Sequence, residues 1–490
     1  MVYSLEQLVT TITRKKLKVN LDLIQLAYEF AEQAHAGQKR LSGEDYIQHS
    51  LATAIKLASL GLDEATIVAG LLHDVPEDTT HTIAEIEKEF GGEIAGLVSG
   101  ITKLGKIKYR GMERYIENLR KMFIAMAEDV RVIFIKFADR IHNLQTLGSL
   151  PPEKQQRVAV ESLEIYAAIA NRLGMGELKG QLEDLSFPYL YPKEYAWTKK
   201  IMEEKLPEQQ AIVDKAAKEI RKKLAEAGFP KVDVHGRVKH LWSLYKKLTR
   251  KDTNGNVDAV YDLVALRVIA ERNDLGDCYA ILGAIHRHWP PLPGRIKDYI
   301  AAPKPNGYQS LHTTVLGPEK AILEIQIRTP EMHAEAELGI AAHFIYEELG
   351  KRNASSKELP RKLQWLEGLL RWQKDAQEHP EQFLKHLKMD FFEDRIFVFS
   401  PLGDVVDLPE GATPVDFAYA IHTDLGNSCV GVTVNDKHTN LSHKLKSGDV
   451  VEVVTDRHRK SPSEDWLKFI KTNVARHKIR EGLKKEKKLF

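Results

Sequence analysis

A dense group of ionisable side chains lies in GLLHDVPEDTT, residues 70–80, directly after an apolar run. It holds His73, Asp74, Glu77 and Asp78, which are four ionisable groups within six positions. On a helix, residues four apart lie one turn apart, so His73 would face Glu77 and Asp74 would face Asp78. Adjacent His and Asp side chains cannot both point into one core, but both can reach a cation over the helix edge.

Two further side chains on other predicted helices are candidates to share that cation with His73 and Asp74. They are His49 in YIQHS and Asp139 in KFADRIHN. Two imidazoles and two carboxylates suit Mn²⁺, Fe²⁺ or Zn²⁺ better than Ca²⁺. Such an ion lowers the pKa of a bound water and yields a hydroxide nucleophile near neutral pH.

The acids that follow, Glu77 and Asp78, are then candidates for a general base and a water-positioning group. Pro76 removes a backbone hydrogen bond inside a helix, so we expect it to end or kink the helix and turn these acids toward the ligand. The alternative is a solvated, acidic helix end, because His-Asp dipeptides are common. The local sequence leaves both interpretations open.

A second group of charged side chains lies within residues 236–328. Arg237 and Lys239 precede a predicted helix, where phosphate binding is favourable. Lys246 and Lys247 lie inside that helix and fit a solvated basic face.

Two predicted strands in this region carry acids at unusual positions. Asp262 is a lone acid at the start of the apolar strand in VYDLVALRV, where it would either cap a turn or hold Mg²⁺. In AILEIQIRT, Glu324 and Gln326 share one face by period-two alternation, and Arg328 continues that face. An acid inside so apolar a strand is costly unless it is paired or functional.

The Pro- and Gly-rich stretch PGRIKDYIAAPKPNGYQSLHTTV predicts a loop between these strands. It supplies cations, an aromatic ring and an amide, which suit the phosphates, the base and the base edge of a nucleotide. These side chains are Arg295, Lys297, Lys304, Asn306, Tyr308 and His312.

The composition fits a soluble globular protein of two to four domains. Of 490 residues, 43% are hydrophobic and 29% charged, and 71 Lys and Arg against 69 Asp and Glu give a net charge of +2. A nucleic-acid partner would therefore have to use a local patch. The two cysteines are far apart, the first residues do not resemble a signal peptide, and no run approaches the ~18 apolar residues of a membrane span. We therefore expect a cytoplasmic protein without a membrane partner.

The pattern of apolar residues predicts a multidomain chain. Helical spacing dominates the first part, short β-branched runs alternate with helices in the middle, and short strands flank one helix near the end. This indicates an all-α domain, an α+β domain and a small third domain containing strands. The predicted divisions are 1–175, connector helices at 176–200, 201–348, a helical linker at 349–392, 393–456 and a helical region at 457–490.

The spacing H…HDxxED…D resembles the HD-type hydrolase domain of the long RelA/SpoT homologues, and ITKLGKIKYR, ENLRKM and ADRIHNLQTL extend the resemblance. It implies an all-α domain that removes the 3′-pyrophosphate from guanosine tetra- and pentaphosphate, (p)ppGpp. It also implies Mn²⁺ held by His49, His73, Asp74 and Asp139, with Glu77 and Asp78 as the catalytic acids.

The same resemblance implies roles in binding the nucleotide. Arg40 would lie over the guanine, and Asn143 and Thr146 would line the pocket. Leu41 and Gln145 stand where basic residues are usual in the family, a difference that concerns nucleotide affinity rather than the metal site.

Residues 236–328 resemble the (p)ppGpp synthetase domain of the same family, which implies a nucleotidyltransferase-like fold. The implied reaction transfers pyrophosphate from ATP to the 3′-hydroxyl of GDP or GTP and releases AMP. Asp262 would bind Mg²⁺, Glu324 would coordinate metal or take the 3′-hydroxyl proton, and Tyr308 would stack on guanine. Phosphates would be neutralised by Arg237, Lys239, Lys297, Lys304 and His312. The nucleotide-binding set is completed by Arg295, Asn306 and Gln326.

The stretch Arg295–Ile296–Lys297–Asp298 fits the R-x-K-D form of family members that both make and degrade (p)ppGpp. Together with an intact HDxxED, it predicts both activities. The two opposing reactions, running together, would only consume ATP. We therefore expect nucleotide in one site to disfavour activity at the other site through the connector at 176–200.

The third region, DRIFVFSPLGDVVDLPEGATPVDFAYAIHTDLGNSCVGVTVN, resembles a TGS domain, a small ubiquitin-like β-grasp module. In long family members this module helps to sense uncharged tRNA on the ribosome, which makes both potential partners here. Such members continue well beyond the module, so we expect this chain to be part of a longer protein.

The sequence therefore favours a bifunctional alarmone enzyme of the stringent response. Two alternatives are a hydrolase with a weak synthetase, and a non-catalytic ribosome- or tRNA-binding sensor of nucleotides. Glu77, Asp78 and Glu324 argue against sensing alone, because sensing needs no general base.

Overall fold

The computed structural model describes residues 2–105, 121–249, 263–304, 306–342, 395–401, 405–446, 448–456, 459 and 461–487. Two compact units, residues 1–371 and 372–490, make up the chain. Asp262, the linker predicted at 349–392 and most of ITKLGKIKYR and ENLRKM lie outside the described residues.

The first part of unit one is helical. Several of its helices begin at side chains that accept hydrogen bonds from otherwise free backbone amides: Ser4 and Thr82 form capping boxes, and Asn20 and Asp63 also cap. The helices are α1 (Leu5–Lys15), α2 (Leu21–Ala34), α3 (Ile47–Ser59), α4 (Glu64–Leu72), α5 (Val75–Asp78), α6 (Ile83–Phe90), α7 (Gly92–Gly105), α8 (residues 121–128), α9 (Arg131–Gln145), α10 (Pro152–Glu161) and α11 (Ala167–Arg172).

The helix that carries His73 ends there, and a new one-turn helix follows. α4 stops at Leu72 with His73 as its C-cap, and Asp74 is the N-cap of α5, with Pro76 in its first turn. Proline is accepted in a first turn because its missing N–H would have no helical partner there. The break predicted from Pro76 is confirmed, and it lies between His73 and Asp74.

α9 lies at the centre of the helical part and is buried on most of its surface. Its buried residues include Phe134, Phe137, Asp139 and His142. A helix hydrophobic all round belongs in a core, so the polar residues on α9 need partners inside the bundle. Asp139 and His142 are 4% and 3% exposed, which makes those partners decisive for the site described below.

Two helices lead from this bundle to the next domain. α12 (Gly176–Leu190) follows the turn at Leu173–Met175, and α13 (Pro192–Glu226) is 35 residues long. The connector helices predicted at 176–200 are therefore present, but the second of them continues well past residue 200. The predicted division at 200 lies within α13 rather than between elements.

The second part of unit one is built on a five-stranded sheet of order β1-β2-β5-β4-β3. β2 and β5 are parallel, and the other neighbouring pairs are antiparallel. The strands are β1 (Asp233–Val238), β2 (Val264–Ile269), β3 (Lys297–Asp298), β4 (Leu311–Leu316) and β5 (Ile322–Arg328), and the helices are α14 (Leu241–Leu248), α15 (Leu275–His288) and α16 (Pro330–Leu338).

The two faces of this sheet differ in chemistry because side chains alternate along each strand. One face carries Leu266, Ile325 and Leu311 and packs in one core with residues of α13 and α15, such as Ile220 and Ile281. The opposite face carries polar and charged side chains on neighbouring strands, namely Arg237, Arg267, Lys297, His312, Glu324, Gln326 and Arg328. The predicted strand face containing Glu324 and Gln326 is confirmed.

Three glycines bring the backbones of the two parts of unit one into direct contact. We call Gly174, Gly176 and Gly339 the glycine seam. A Cβ on Gly339 would lie 2.2 Å from the carbonyl oxygen of Leu173, and Ile340 N donates to that oxygen at 2.9 Å. The seam therefore needs residues without side chains.

Unit two contains two small sheets that share a core with one helix. β6 (Arg395–Phe399) pairs with β7 (Val405–Pro409), and the second sheet has the order β10-β8-β9. Its strands are β8 (Cys429–Val434), β9 (Lys437–Thr439) and β10 (Val451–Thr455), and the helices are α17 (Pro414–Ile421), α18 (Thr423–Asn427) and α19 (Asn473–Lys487).

The end of unit two is attached through a buried carboxylate on α17. Asp416 is 1% exposed and accepts hydrogen bonds from Thr413 N at 2.8 Å and Thr472 N at 2.7 Å. The segment before α19 is thus fixed to the helix between the small sheets. The short strands and the helix predicted near the end of the chain are confirmed, and a helix is present within the region predicted as helical at 457–490.

Other predictions about the elements are also confirmed. The strands in 311–316 and 322–328 and the helix at 275–288 are present. β1 was not predicted, because DVHGRV contains few apolar residues and a glycine. Among the described residues no helix has both the length and the apolar character needed to cross a membrane, and Cys278 and Cys429 are buried and free.

We expect Gly339→Ala to lower the free energy of unfolding by about 2 kcal/mol. Gly339 has a φ of 58° and a ψ of −131°, a conformation that strains any side chain, and the added methyl would meet the backbone of Leu173. Gly283→Ala is the control, because Gly283 lies inside α15 and an added Cβ meets nothing within 4 Å. Chemical denaturation of both variants measures the effect; equal stabilities would show that the seam tolerates a side chain.

A histidine at the start of α14 joins the sheet domain to α12. His240 Nδ1 lies 2.8 Å from Asp184 Oδ2, and its Nε2 lies 3.5 Å from Glu177 Oε2. These hydrogen bonds raise the pKa of His240 to about 9. Gly180 lies between the two acids on α12, where an added Cβ would lie 2.2 Å from the ring of His240.

We expect this contact to weaken as pH rises from about 6.5, the pKa of an unfolded histidine, to about 9. A folded-state pKa above the unfolded value stabilises the fold fully below the lower pKa, and the contribution is lost through the higher one. Between pH 6 and pH 9.5 the wild type should therefore lose more stability than His240→Gln, which cannot gain a proton. Unfolding free energies across this range decide the matter, and parallel curves would contradict it.

Candidate functional site

The predicted metal ligands on three helices meet inside the bundle. His49 Nε2 lies 3.3 Å from Asp74 Oδ2 and 3.3 Å from Asp139 Oδ1, and His73 Nε2 lies 3.2 Å from Asp74 Oδ1. One donor atom from each of His49, His73 and Asp74 lies within 4.8 Å of the other two. The cluster that sequence spacing predicted is therefore present in space, and we call these four residues the cation cluster.

The ring orientation of His73 fits a metal ligand. Its Nδ1 lies 2.9 Å from the carbonyl oxygen of Gly70, which can only accept, so Nδ1 carries the proton. Its Nε2 is fully buried and faces Asp74 without a hydrogen-bond partner, and in the neutral ring this atom carries the lone pair. A buried nitrogen lone pair facing a carboxylate oxygen is stable only with a proton or a cation between them. Two imidazole nitrogens with two carboxylates suit a divalent transition metal.

The charges in the cluster support the same interpretation. Burial raises the pKa of Asp74, but protonated His73, whose own pKa is raised to about 9 beside Asp74 and Asp139, outweighs it and holds the pKa of Asp74 well below its usual value. Burial likewise opposes ionisation of Asp139, and Lys136, 2.7 Å from its Oδ2, holds its pKa well below the ordinary range. Two ionised carboxylates inside an apolar bundle therefore present negative charge to any cation that enters.

The two acids that follow the cluster have different environments. Burial raises the pKa of Glu77 to about 7, although Lys136 opposes the shift. A carboxyl group with a pKa near neutrality is suited to exchange protons with a substrate. Tyr46, which the sequence analysis did not single out, lies with its hydroxyl 2.5 Å from Asp78 Oδ2 and 3.0 Å from Asp74 Oδ2. It fixes Asp78 beside the cation cluster.

A cavity of about 400 Å³ opens next to the cluster. The three predicted nucleotide-binding residues Arg40, Asn143 and Thr146 line it, as do Lys136 and Arg140. Arg140 lies 4.4 Å from the centre of the Tyr166 ring, which belongs to a π-helical segment at Ser162–Tyr166. The cavity thus combines cations for phosphates with a wall that contains Asp139.

Arg40 is held at the cavity wall by two neighbouring residues of α9. Its Nη1 lies 3.0 Å from His142 Nδ1, and its Nη2 donates to Asn143 Oδ1. Burial, together with His49 and Arg40, lowers the pKa of His142 to about 3. His142 is therefore neutral.

The second predicted site lies on the polar face of the five-stranded sheet. Glu324 Oε1 is 3.2 Å from His312 Nδ1 and accepts from Gln326 Nε2 at 3.1 Å. The hydroxyl of Tyr308 lies 2.7 Å from His312 Nε2. Arg328 donates to Tyr308 and, at 3.0 Å, to Gln326 Oε1. The acid that looked costly in an apolar strand is thus paired within a polar network.

Lysine and arginine side chains surround this network. Lys304 Nζ lies 4.6 Å and 4.9 Å from the ring centres of Tyr299 and Tyr308, and burial followed by Lys297 lowers its pKa to about 8. A small cavity of about 110 Å³ is lined by Arg237, Lys239, His240, Ser243, Ala265 and Gln326. Most of the predicted cations therefore lie around one polar surface.

Four predicted residues of this site are not part of the network described around Glu324. Arg295 and Lys297 are exposed, and Lys297 pairs with His312 across the sheet. Asn306 donates from its amide to the carbonyl oxygen of Asn171 at 3.2 Å, on the helical side of the glycine seam. Asp262 lies outside the described residues.

The structure adds residues that the sequence analysis did not assign. Tyr46, Lys136 and His142 join the helical site, and Arg267, which is 5% exposed and 2.8 Å from Glu337 Oε1, joins the sheet site. Two signals were present in the sequence. Lys136 lies one helical turn before Asp139, and Arg267 is a charge inside the apolar strand VALRVI.

Successive parts of the chain match three known families. Residues 27–176 match the HD domain, residues 236–351 match the region found in RelA/SpoT proteins, and residues 396–455 match the TGS domain. A GTP pyrophosphokinase of Myxococcus xanthus is 48% identical over 98% of this chain and 62% of its own length. The bifunctional (p)ppGpp synthase/hydrolase SpoT of Escherichia coli strain K12 is 45% identical over 99% of this chain and 68% of its own. The chain belongs to the RelA/SpoT family.

This RelA/SpoT family member has the predicted order of an HD domain, a synthetase region and a TGS domain. It spans 62% of the M. xanthus relative and 61% of a probable guanosine-3′,5′-bis(diphosphate) 3′-pyrophosphohydrolase of Synechocystis sp., which is 47% identical over 95% of this chain. A solved metazoan orthologue of SpoT that hydrolyses ppGpp aligns with 34% of this chain and 88% of its own at 23% identity and a TM-score of 0.25.

We expect Mn²⁺, one of the ions suited to the cation cluster, to raise the unfolding temperature of the wild type but not of His73→Ala. Binding at a hundred times the dissociation constant adds about 2.7 kcal/mol of stability. His81→Ala is the control, since His81 belongs to the same domain but lies outside the cluster and pairs with Glu85. Thermal scans with and without Mn²⁺ measure the shift, and an equal shift in His73→Ala would place the ion elsewhere.

Proposed function

We propose that this chain both degrades and makes (p)ppGpp. In one reaction it hydrolyses the 3′-pyrophosphate of (p)ppGpp to GDP or GTP. In the other it transfers pyrophosphate from ATP to the 3′-hydroxyl of GDP or GTP and releases AMP. Several relatives support both, since their names include a pyrophosphokinase, a pyrophosphohydrolase and a bifunctional synthase/hydrolase.

The hydrolase proposal rests on one observation. The proposed metal ligands of the cation cluster lie beside a cavity that is lined with lysine and arginine side chains. The cluster supplies four ligand side chains, and the cavity of about 400 Å³ is lined by Lys136 and Arg140 as well as Arg40. A nucleotide with two diphosphate groups needs charge neutralisation on this scale. In this proposal the scissile phosphate lies next to Glu77 and Asp78.

In hydrolysis, water adds to the phosphorus attached to the ribose 3′ oxygen, and the bond between that phosphorus and the 3′ oxygen breaks. We propose Mn²⁺ as the ion, held by His49, His73, Asp74 and Asp139; when bound, it lowers the pKa of the attacking water. Glu77, with a pKa of about 7, accepts the proton of the water, and a proton returns to the leaving 3′ oxygen. Asp78, held by Tyr46, orients the water.

The nucleotide itself is bound by the cavity walls. Arg40 presents a flat guanidinium face toward the base, because its in-plane N–H groups are used by His142 and Asn143. Asn143 and Thr146 line the same wall. Lys136, which pairs with Asp139, and Arg140, which pairs with Glu161, add positive charge for the phosphate groups.

For synthesis, the polar network around Glu324 supports the reaction. Glu324 takes the proton of the attacking 3′-hydroxyl or coordinates Mg²⁺, and His312 and Gln326 hold its carboxylate in place. Tyr308 stacks on the guanine, and its hydroxyl is fixed by Arg328 and His312. Transfer of this kind depends on positioning and charge neutralisation.

The phosphates of the two nucleotides are assigned to the surrounding cations. Arg237 and Lys239 lie at the small cavity beside Gln326, and Lys304 lies between two tyrosine rings. Arg295, Lys297 and Asn306 complete the proposed set, and Asp262 is the proposed Mg²⁺ ligand.

Other functional properties are part of the same proposal. The TGS match supports contact with the ribosome and uncharged tRNA. ATP and guanine nucleotides supply both reactions in the cytoplasm, where we place the protein. A hydrolase with a weak synthetase, or a sensor without catalysis, remains the competing description, and the raised pKa of Glu77 favours catalysis over sensing.

Separate substitutions should abolish the two reactions separately. Glu324→Gln removes the carboxylate that takes the hydroxyl proton, so synthesis of ppGpp from ATP and GDP with Mg²⁺ should fall at least a hundredfold while hydrolysis with Mn²⁺ remains. Asp78→Ala should do the reverse. Chromatography of the nucleotides after each incubation measures both.

Glu319→Gln and Asp22→Ala are the matched controls. Glu319 makes an exposed ion pair with Lys215, and Asp22 is an exposed residue in the first turn of α2. Both variants should retain both reactions. A wild type that binds nucleotides but converts none would instead support the sensor.

A further inference from the structure

His142 lies between the cation cluster and the nucleotide cavity and contacts a residue of each. Its Nδ1 is 2.9 Å from His49 Nδ1 and 3.0 Å from Arg40 Nη1. The side chain is buried, at 3% exposed, so water does not replace these partners readily. One ring nitrogen therefore connects a proposed metal ligand with a proposed nucleotide ligand.

The direction of each hydrogen bond follows from the chemistry of Arg40. A guanidinium can only donate, so His142 Nδ1 must accept and carries no proton. The remaining proton of the neutral ring is then on Nε2. Because His142 Nδ1 carries no proton, the proton between the two rings is on His49 Nδ1, and Arg40 and His49 share the single lone pair of His142 Nδ1.

This assignment determines which nitrogen of His49 is free. An imidazole that binds a metal is neutral and has one proton, so a proton on Nδ1 leaves Nε2 as the ligand atom with its lone pair. Nε2 is the atom that lies 3.3 Å from both Asp74 and Asp139. His73 reaches the same state by donating from Nδ1 to the carbonyl oxygen of Gly70. Both imidazoles thus direct a bare Nε2 at the cluster.

The same contact orients Arg40. Its second terminal nitrogen donates to Asn143, whose amide in turn donates to Asp139 Oδ1. With both acceptors on consecutive residues of α9, the guanidinium plane is fixed, and its central carbon lies 5.9 Å from the centre of the Tyr46 ring. Arg40 and the cation cluster are therefore held by one set of α9 side chains.

We propose that His142 is a positioning residue of the hydrolase, which keeps His49 in the metal-binding tautomer and Arg40 in the orientation that receives the base. The proposal rests on the hydrolase function proposed above. It assigns to His142 no contact with the substrate and no proton transfer. According to this proposal, the hydrolase site requires the Nδ1 lone pair of His142 rather than the bulk of its ring.

The test compares two substitutions in the full chain. His142→Leu removes the acceptor, whereas His142→Gln offers an amide oxygen with two lone pairs to both donors. Loss of a residue that orients a metal ligand weakens metal binding by about 10–100-fold. We expect that loss in His142→Leu, measured as Mn²⁺ affinity by calorimetry without nucleotide, and less than about threefold weakening in His142→Gln.

Kinetics give a second readout. At saturating Mn²⁺, His142→Leu should raise the KM for ppGpp because Arg40 has lost one acceptor, and His142→Gln should restore it. His81→Leu is the control for replacing a histidine in the same domain, and synthesis from ATP and GDP reports on folding in every variant. If His142→Leu does not fold, imidazole ¹⁵N shifts of the wild type report the tautomers directly, with the proton expected on His49 Nδ1 and on His142 Nε2.

The outcomes separate this proposal from the function on which it rests. Equal Mn²⁺ affinity in wild type and His142→Leu would overturn it, as would equal weakening in both variants or the opposite tautomer of His49. Failure of the wild type to hydrolyse ppGpp, with Mn²⁺ bound and the tautomers as described, would instead remove the proposed activity.

Discussion

The helical domain is organised by two ionised carboxylates that lie among apolar helices. Asp74 and Asp139 are far apart in sequence, and each faces the Nε2 atom of a buried histidine. Negative charge in such an interior is costly unless it is compensated. Lys136 compensates part of it, and the geometry of the histidines leaves the remainder for a cation. The break between α4 and α5, next to Pro76, serves the same cluster. It lets the adjacent side chains of His73 and Asp74 approach one point from a single chain segment.

The sheet domain meets a related requirement by different means. Its charged side chains lie on one face of the sheet, and the hydrophobic core packs on the other face. This separation follows from the alternation of side chains along each strand. Acids and bases there are linked side by side across neighbouring strands, as Glu324 is to His312. A network of this kind holds each side chain in one orientation before any substrate arrives.

Much of this could be predicted from the sequence because the signals are local. Helical spacing, short β-branched runs and the HDxxED spacing predicted the elements and the four cluster residues. His142, Tyr46 and Arg267 were missed because their importance lies in what they contact in space, and a buried histidine or tyrosine has no pattern of its own in sequence. The division at residue 200 failed to coincide with an element boundary for a similar reason: α13 continues without interruption, since its buried residues from Val213 onward pack on the sheet.

The glycine seam has a consequence for how the chain can be divided. The match to the HD domain ends at residue 176. Gly176 is the second of the two seam glycines on the helical side, and Gly339 is on the other side. A border drawn from sequence matching therefore falls on a rigid main-chain joint rather than on a linker. The loop bearing Lys304 and Tyr308 is braced at Asn306 by the last turn of α11, which belongs to the neighbouring helical domain. A synthetase excised at that border would leave the carbonyl partners of Asn306 and Ile340 behind.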